Sequence, residues 1–314
     1  MSGVTGRRQA VRISDVARAA GVSKTLVSYA LNDRPGVRES TRAHIVETAR
    51  SMGWTPSFRA RALSASRAYA IGLIFPAAPA DWWLRLMAGL HSTLVTAQYS
   101  LVTEVVQDPE AEESAYHRLA LDGRVDGLVV VDPRPDDTRF RLLAKTGLPY
   151  VSLGRPPEPT TMPVLVHDES AAVAAVVAHL AGLGHRRVAL VGLPRSRREL
   201  FETCFREHDV VGSDTDRATA IVHADDLAAA ACLRDLAGRG QRVPTDVSVV
   251  GWGDLTVAGL LHPALSTAGR DPYDDGRLAA RLLLEAIDGK EFPAPVTTAG
   301  PVFVDRASIG PALA

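Results

Sequence analysis

Five polar side chains share one side of a short helix predicted near the N-terminus. They are Lys24, Thr25, Ser28, Tyr29 and Asn32, and on a helical wheel of residues 24–32 the apolar residues take the opposite side. An ammonium, two hydroxyls, a phenol and an amide can hydrogen-bond base edges and phosphates. The polar side is therefore typical of a helix that lies in the major groove of DNA. Any amphipathic surface helix sorts its residues in this way, so the interpretation depends on the surroundings.

The flanking residues predict a helix-turn-helix. A first helix is expected over residues 14–20, and Gly21 ends it because glycine readily adopts the left-handed conformation. Ser23 can cap the second helix and is counted among the DNA-binding candidates. A third helix is expected over residues 40–52. We therefore assign residues 1–55 to a three-helix DNA-binding head.

Charge is distributed unevenly along the chain. Residues 1–67 contain twelve Lys or Arg and four Asp or Glu, a net charge of +8, so the rest carries −9 of the overall −1. A basic module on an acidic body is typical of a phosphate-binding domain attached to a domain that does not bind phosphates. The alternative is a solvated surface that happens to be basic.

Residues 56–67 are predicted to connect the head to the body. The segment begins at Pro56 and contains good helix formers, yet a helix this short is unstable in isolation. It is either a flexible tether or a hinge helix that folds only when it docks on DNA. In the second interpretation Arg59 and Arg61 meet phosphates, and Leu63 wedges between base steps in the minor groove.

From residue 68 to residue 314, β-rich apolar runs alternate with helical stretches. Strands are expected over residues 70–75, 100–106, 127–131, 149–153, 187–191, 219–224 and 247–252, with helices such as 84–98, 169–181, 227–237 and 274–288. This alternation predicts an α/β domain of parallel sheets wrapped by helices. Ligands of such folds bind beyond the carboxyl ends of the strands.

Several motifs carry a resemblance over nearly the whole chain. They include Asp15-Val16-Ala17, Ala20-Gly21-Val22-Ser23, Leu31-Asn32 and Ala60-Arg61-x-Leu63 in the head and linker, and "HLAGLGHRRVALVG", "VPTDVSVVGWGD" and "HPALSTAGRDPYDDG" in the body. With these motifs the chain resembles the lactose-repressor/galactose-repressor family of transcription regulators. The resemblance implies that Lys24, Thr25 and Tyr29 read bases, and that Leu63 intercalates at the operator centre. It also implies a homodimer on an approximately palindromic double-stranded DNA operator, without a cofactor.

The resemblance further implies a periplasmic-binding-protein-like sensor of two subdomains with a small-molecule cleft between them. The effector-binding candidates in this cleft are Trp82, Trp83, Arg197, Arg198, Asp225 and Trp252. The aromatic residues would wall the cleft, one of the two arginines would be the usual cleft arginine, and packing is the alternative role for the indoles. Gly253 stands where the family has a ligand-binding Asp. His185 and Thr219 are 34 positions apart, where the family fits a further helix and strand, so the second subdomain is expected to be shortened.

These features predict a DNA-binding repressor whose operator affinity responds to a sugar or a nucleoside-like metabolite. The alternatives are a regulator with a degenerate cleft that needs no effector, and a solute-binding protein. Nucleophile-elbow, phosphate-loop and zinc-protease patterns are missing from the sequence, so we do not expect an enzyme or a metal site. Neither an apolar span nor a signal peptide is evident, and Cys204 and Cys232 lack metal or redox spacing, which favours the cytoplasm.

Overall fold

The computed structural model describes residues 11–31, 34–54, 67–77 and 81–313. The chain divides into two compact units between Arg67 and Ala68. The N-terminal unit contains α1 (Ile13–Ala20), α2 (Lys24–Leu31) and α3 (Glu39–Ser51). Their apolar sides meet around the fully buried side chains of Val16, Val27 and Ile45. The three predicted helices are confirmed.

The turn between α1 and α2 forms as predicted. Gly21 follows α1 with a φ of 67°, in the left-handed region that favours glycine. The next amide, of Val22, donates to the carbonyl of Ala17 at 3.0 Å and so satisfies one of the last carbonyl groups of the helix. At the other end of α1, the Asp15 carboxylate accepts the backbone N–H of Arg12 at 3.0 Å. The short first helix is thus held at both ends.

The C-terminal unit contains two six-stranded sheets, which define two subdomains. The first sheet has the strand order β11-β5-β4-β3-β1-β2, and the second has the order β12-β10-β9-β8-β6-β7. Neighbouring strands pair in parallel, except that β12 is antiparallel to β10. The strands are β1 (Ala70–Pro76), β2 (Ser100–Val106), β3 (Gly127–Val131), β4 (Tyr150–Leu153), β5 (Val164–Asp168), β6 (Arg187–Val191), β7 (Val211–Gly212), β8 (Ala220–His223), β9 (Ser248–Gly253), β10 (Ser266–Gly269), β11 (Val296–Ala299) and β12 (Val302–Val304).

Helices cover the faces of both sheets. They are α4 (Asp81–Leu94), α5 (Pro109–Leu121), α6 (Thr138–Thr146), α7 (Ser170–Gly182), α8 (Arg195–Glu207), α9 (Asp226–Gly238), α10 (Thr256–Leu260) and α11 (Pro272–Ile287). The chain passes between the subdomains three times, after β5, after β10 and after β11. Each subdomain is therefore completed by elements from distant parts of the chain.

Helix α11 returns to the first subdomain and packs closely against α4. A Cβ atom at Gly276 would meet the carbonyl oxygen of Leu86, and one at Gly89 would meet the carbonyl of Tyr273. Glycine is required here because the two backbones touch. Leu86, Leu90 and Leu283 complete the buried contact on either side.

The parallel α/β architecture is confirmed, but the predicted shortening of the second subdomain is not. Its sheet has six strands, as the first sheet does, and α8 with the two-residue strand β7 occupies the region between His185 and Thr219. The sequence spacing was misleading because a helix and a short strand need few residues. What the region lacks is a helix in residues 213–219, between β7 and β8.

Candidate functional site

The polar side of α2 faces solvent and its apolar side faces the core of the head. Lys24 and Thr25 are exposed, and Tyr29 is 39% exposed. Val27 and Ala30, on the other side, are buried. Ser28 is half-buried between the two sides, Leu26 and Leu31 are also half-buried, and Asn32 lies outside the described residues. The side chains that could reach base edges are thus presented together along one exposed strip.

Ser23 and Arg42 fix the two ends of this strip. The hydroxyl oxygen of Ser23 accepts the backbone N–H of Leu26 at 3.2 Å, so Ser23 caps α2 as predicted. At the other end, the Arg42 guanidinium donates to the carbonyls of Ala30 at 2.9 Å and of Arg34 at 2.8 Å. The role of Arg42 could not be read from the sequence, because it joins α3 to the loop that follows α2.

Arg34 lies beside the exposed phenol. Its guanidinium carbon is 5.8 Å from the centre of the Tyr29 ring, within the range of a cation–π contact. An arginine at this position would bring positive charge next to the phenol at the edge of the strip. The remaining DNA-binding candidates, Arg59, Arg61 and Leu63, lie outside the described residues.

Trp82 and Trp83 lie at the start of α4, beside the carboxyl end of β1. Trp83 stacks on Phe75 with ring centres 5.2 Å apart, and Trp82 meets Trp83 edge-on at 4.9 Å. Both indoles are half-buried. Trp83 also lines a pocket of about 280 Å³ at the ends of β1, β2 and β3, together with Val106 and Val131. Trp83 thus combines packing with exposure to a cavity beside the strand ends, and the effector-binding role of the two indoles stays a prediction.

A buried ionic network borders the same pocket. Arg139, 7% exposed, donates to both carboxylate oxygens of Asp137 at 2.8 and 2.5 Å and to Glu112 at 2.9 Å. Burial opposes ionisation of Asp137, but hydrogen bonds from Arg139 and Arg134 outweigh it, and the pKa of Asp137 is lowered. Burial raises the pKa of Tyr116, which lies beneath Arg139, to about 12. Sequence reasoning missed this network, since it joins two separate segments of the chain, Glu112 and Tyr116 in α5 and residues 134–139 before and within α6.

Arg197 lies at the carboxyl edge of the second sheet. Its guanidinium carbon is 4.3 Å from the centre of the Trp252 ring. It also donates to both oxygens of Glu169, at 2.8 and 2.9 Å, and to the carbonyl of Ala224 at 3.1 Å. Arg198, in contrast, donates to the carbonyl of Leu190. Of the two candidate arginines, Arg197 is thus the one that the structure brings to Trp252.

Trp252 is 7% exposed and belongs to the core of the second subdomain. Its ring meets Phe201 edge-on at 6.1 Å on one side and Arg197 on the other. Glu169, which completes the group, was not among the predicted residues. Its place at the crossing from β5 to α7 makes it a neighbour of Arg197 only in the folded chain.

Both acids of the Asp225-Asp226 pair are engaged in internal hydrogen bonds. Asp225 caps α9 by accepting the backbone N–H groups of Leu227 at 2.9 Å and Ala228 at 2.8 Å. Asp226 is fully buried and accepts from the Thr267 hydroxyl at 2.6 Å, and its pKa is raised by burial. The capping role of Asp225 accounts for that residue without a ligand.

A further polar cluster joins the subdomains where the chain crosses between them. Arg270 pairs with the buried carboxylate of Asp275 at 2.8 Å and donates to the Thr298 hydroxyl at 2.8 Å. His167 contacts Arg270, Thr298 and Asp275. Asp168 accepts from the backbone N–H of Ser170 at 3.0 Å and so binds the start of α7, one residue before the N-cap Glu169. His167 and Asp168 therefore hold the residues at the crossing in place.

Neither a membrane-spanning helix nor a metal-binding cluster is present among the residues that the structure describes. Among those residues, no helix is both long and apolar enough to span a bilayer. They also contain no group of three or more His, Cys, Asp or Glu side chains placed to hold a metal ion.

Comparison with known proteins matches three sequence families in turn. Residues 12–57 match the bacterial regulatory proteins of the lacI family, and residues 68–203 match the periplasmic binding proteins and sugar binding domain of the LacI family. Residues 177–309 match the periplasmic binding protein-like domain. Together the matches extend over the head and both subdomains.

Full-length relatives and solved structures agree with these matches. The chain is 26% identical to the HTH-type transcriptional repressor PurR of Photobacterium profundum, over 95% of this chain and 98% of that protein. It is 28% identical to the HTH-type transcriptional regulator AglR of Rhizobium meliloti, over 96% and 95%. The crystal structure of the lac repressor dimer bound to operator and the anti-inducer ONPF superposes with a TM-score of 0.77, at 23% identity, over 96% of this chain and 99% of that chain.

Proposed function

The chain belongs to the LacI family of bacterial regulatory proteins, and on this premise we propose that it is a repressor whose operator affinity is set by a small metabolite. Members of this family are DNA-binding transcriptional regulators and not enzymes, so the enzyme class is excluded. The lacI match over residues 12–57 also argues against a protein that only binds solutes.

The observation that carries the proposal is the exposed polar strip of α2. Lys24, Thr25 and Tyr29 project from one side of a helix whose other side is buried. Ser23 and Arg42 hold the ends of this helix, so the strip is presented in one orientation. A helix of this kind can enter the major groove and distinguish base pairs there. The net charge of +8 in residues 1–67 adds attraction to phosphates that does not depend on sequence.

We infer that two copies bind an approximately palindromic operator. Support comes from the lac repressor dimer on its operator, whose fold this chain shares over 96% of its length. A dimer places two recognition helices one or more helical turns apart, about 34–36 Å per turn. Arg59 and Arg61 would contact phosphates near the centre of the site, and Leu63 would wedge into the minor groove there.

The best-supported effector site lies at the carboxyl ends of the strands of the two sheets. Arg197 and Trp252 are in contact there, and Trp83 lines a cavity at the corresponding edge of the first sheet. Indole faces suit the faces of sugars or bases, and a guanidinium can bind their oxygen atoms. The match to a sugar binding domain over residues 68–203 favours a sugar or nucleoside-like effector. On ligand binding, Glu169 would give up its hydrogen bonds with Arg197 and contact the ligand instead.

Selection of bound duplexes from a random-sequence library with the full-length chain tests the DNA part of the proposal. We expect a palindromic consensus, and we expect Lys24→Ala to weaken binding to it. Lys145→Ala is the matched control, because Lys145 is an exposed lysine of the body. A library that shows no enrichment at low ionic strength would contradict sequence-specific binding.

A second candidate is a repressor that needs no effector. It is favoured by Gly253, which offers no carboxylate, and by Asp225, whose carboxylate is used to cap α9. Isothermal titration with a panel of pentoses, hexoses and nucleosides separates the two candidates. Binding that is lost in Arg197→Ala supports the effector site, whereas no heat with any member of the panel favours the second candidate.

A further inference from the structure

Arg34 lies beyond the end of α2, and three constraints fix its backbone. Its N–H donates to the Tyr29 carbonyl at 3.0 Å, and its carbonyl accepts a hydrogen bond from the Arg42 guanidinium at 2.8 Å. Pro35 follows it, and a residue that precedes proline is largely restricted to extended conformations. The Arg34 side chain therefore projects from a fixed point next to α2.

The guanidinium of Arg34 is on the same side of the head as the exposed polar strip of α2. Its carbon atom lies over the Tyr29 ring, 5.8 Å from the ring centre, and Tyr29 is a member of that strip. Arg34 is exposed, and no carboxylate among the described residues pairs with it. Its positive charge is therefore available to a partner that approaches the strip.

The length of α2 brings Arg34 to the wall of a groove that the strip enters. Eight residues of helix at about 1.5 Å each make α2 about 12 Å long. The major groove of B-DNA is also about 12 Å wide, and the phosphates of the two strands border it. The middle of such a helix faces base edges, whereas a residue beyond its end comes close to the backbone. Tyr29 is in the last turn of α2, and Arg34 follows it in this direction.

A guanidinium that lies over an aromatic ring keeps its hydrogen-bond donors free. The donors of arginine lie in the plane of the group and point outward from its edge, where they match the oxygens of a phosphate. A ring on one face of that plane does not occupy them. The contact with Tyr29 thus orients the guanidinium of Arg34 and leaves it able to bind an anion.

We propose that Arg34 binds a DNA phosphate beside the base pair that Tyr29 reads. This inference rests on the proposed function and adds a residue to it. The phosphate contact carries no sequence information itself, but it fixes the register of α2 and, through the ring beneath it, the position of the phenol. The guanidinium is 5.8 Å from the ring centre. At about 3.4 Å per nucleotide along the helix axis, the phosphate should therefore lie within about three nucleotides of that base pair.

The salt dependence of operator binding by the full-length chain tests for the phosphate contact. Arg34→Gln removes the charge and leaves the two backbone hydrogen bonds of this position in place. One phosphate contact contributes about 0.9 to the slope of log K against log salt concentration, so the two copies in a dimer should lower the slope by about 1.8. Between about 50 and about 200 mM salt, the advantage of the natural chain should therefore shrink about twelvefold. Arg141→Gln, the matched control, replaces an exposed arginine of α6 in the body and should keep the natural slope.

Operator duplexes with methylphosphonate linkages identify the phosphate. Each duplex carries one neutral linkage at the same position of both half-sites, in the operator recovered by selection. Arg34→Gln should bind more weakly than the natural chain to every duplex except the one whose partner phosphate is neutral, and there the two chains should bind equally. That position should lie within about three nucleotides of the base pair at which Tyr29→Ala reduces discrimination. Circular dichroism of each variant checks that it is folded.

Two results would overturn the inference while the proposed function stands, because the natural chain would still bind its operator. One is an equal salt slope for the natural chain and Arg34→Gln, and the other is a loss of affinity in Arg34→Gln that persists with every neutral linkage. A natural chain that binds no duplex would contradict the proposed function, and the inference with it. If Arg34→Gln does not fold, the natural chain decides alone: an affinity that no neutral linkage near the base pair of Tyr29 lowers would overturn the inference.

Discussion

Replacement by leucine should change the stability of the body in opposite directions at two buried histidines of the second subdomain. His185 is 1% exposed and His223 is 6% exposed. The ring nitrogens of His185 meet the Thr219 hydroxyl at 2.9 Å and the Gly310 carbonyl at 2.9 Å, whereas those of His223 have no partner among the described residues. Leucine has a similar volume and no polar atoms, so replacement removes polar atoms that are satisfied at one site and unsatisfied at the other.

The expected size follows from the cost of a buried polar group without a partner, about 1–3 kcal/mol. His223→Leu should therefore increase the free energy of unfolding by about this amount. His185→Leu should cost a similar amount, because it removes the two hydrogen bonds that the buried ring makes with the Gly310 carbonyl and the Thr219 hydroxyl. For a unit of this size, 1 kcal/mol corresponds to about 2–4 °C in Tm. The two variants should therefore move the unfolding of the body in opposite directions from that of the natural chain.

The pH dependence has a definite sign. Burial lowers the pKa of His223 below the ordinary 6.5, so as pH falls through about 6.5 the unfolded chain takes up a proton that the folded chain does not. The natural chain loses stability over that range, and the gain in His223→Leu should be larger at pH 5.5 than at pH 8. Thermal unfolding at both values, followed by circular dichroism, measures this. Destabilisation of His223→Leu to the same extent as His185→Leu would refute the reasoning.

Three other predictions concern separate parts of the chain. Tyr29→Ala should reduce discrimination between operator variants by about 1–3 kcal/mol at the base that Tyr29 reads, measured by competition between duplexes; an equal loss on all duplexes would contradict base reading. Arg42→Ala should destabilise the end of α2 by about 1–3 kcal/mol and speed its amide hydrogen exchange, whereas Arg50→Ala, an exposed arginine on α3, should not. Because burial raises the pKa of Asp226, this residue makes the natural chain less stable as pH rises above about 4. Asp226→Asn removes this effect and should therefore stabilise the chain more at pH 7 than at pH 4. The difference should be about 1.4 kcal/mol for each unit by which the pKa is raised. A stability difference between these two chains that is the same at both pH values would contradict the last prediction.

The elements that sequence patterns identified are those with strong local signals. The run of residues 127–131 is uniformly apolar and became a central strand that is almost wholly buried. In the head, Gly21 and Ser23 carry their own conformational preferences, so the turn between two helices could be placed to the residue. Lys24, Thr25 and Tyr29 follow from the same local pattern, because helical periodicity alone decides which side of α2 is buried.

The features that could not be foreseen depend on contacts between distant segments. β11 and β12 are short edge strands, and the exposed, alternating pattern of β11 resembles that of a loop until its neighbour is known. Glu169 precedes α7 and Arg197 lies in α8, and the sequence offers no signal that links them. The spacing between His185 and Thr219 suggested a missing unit, because a sequence does not show that a helix and a two-residue strand fit into that span.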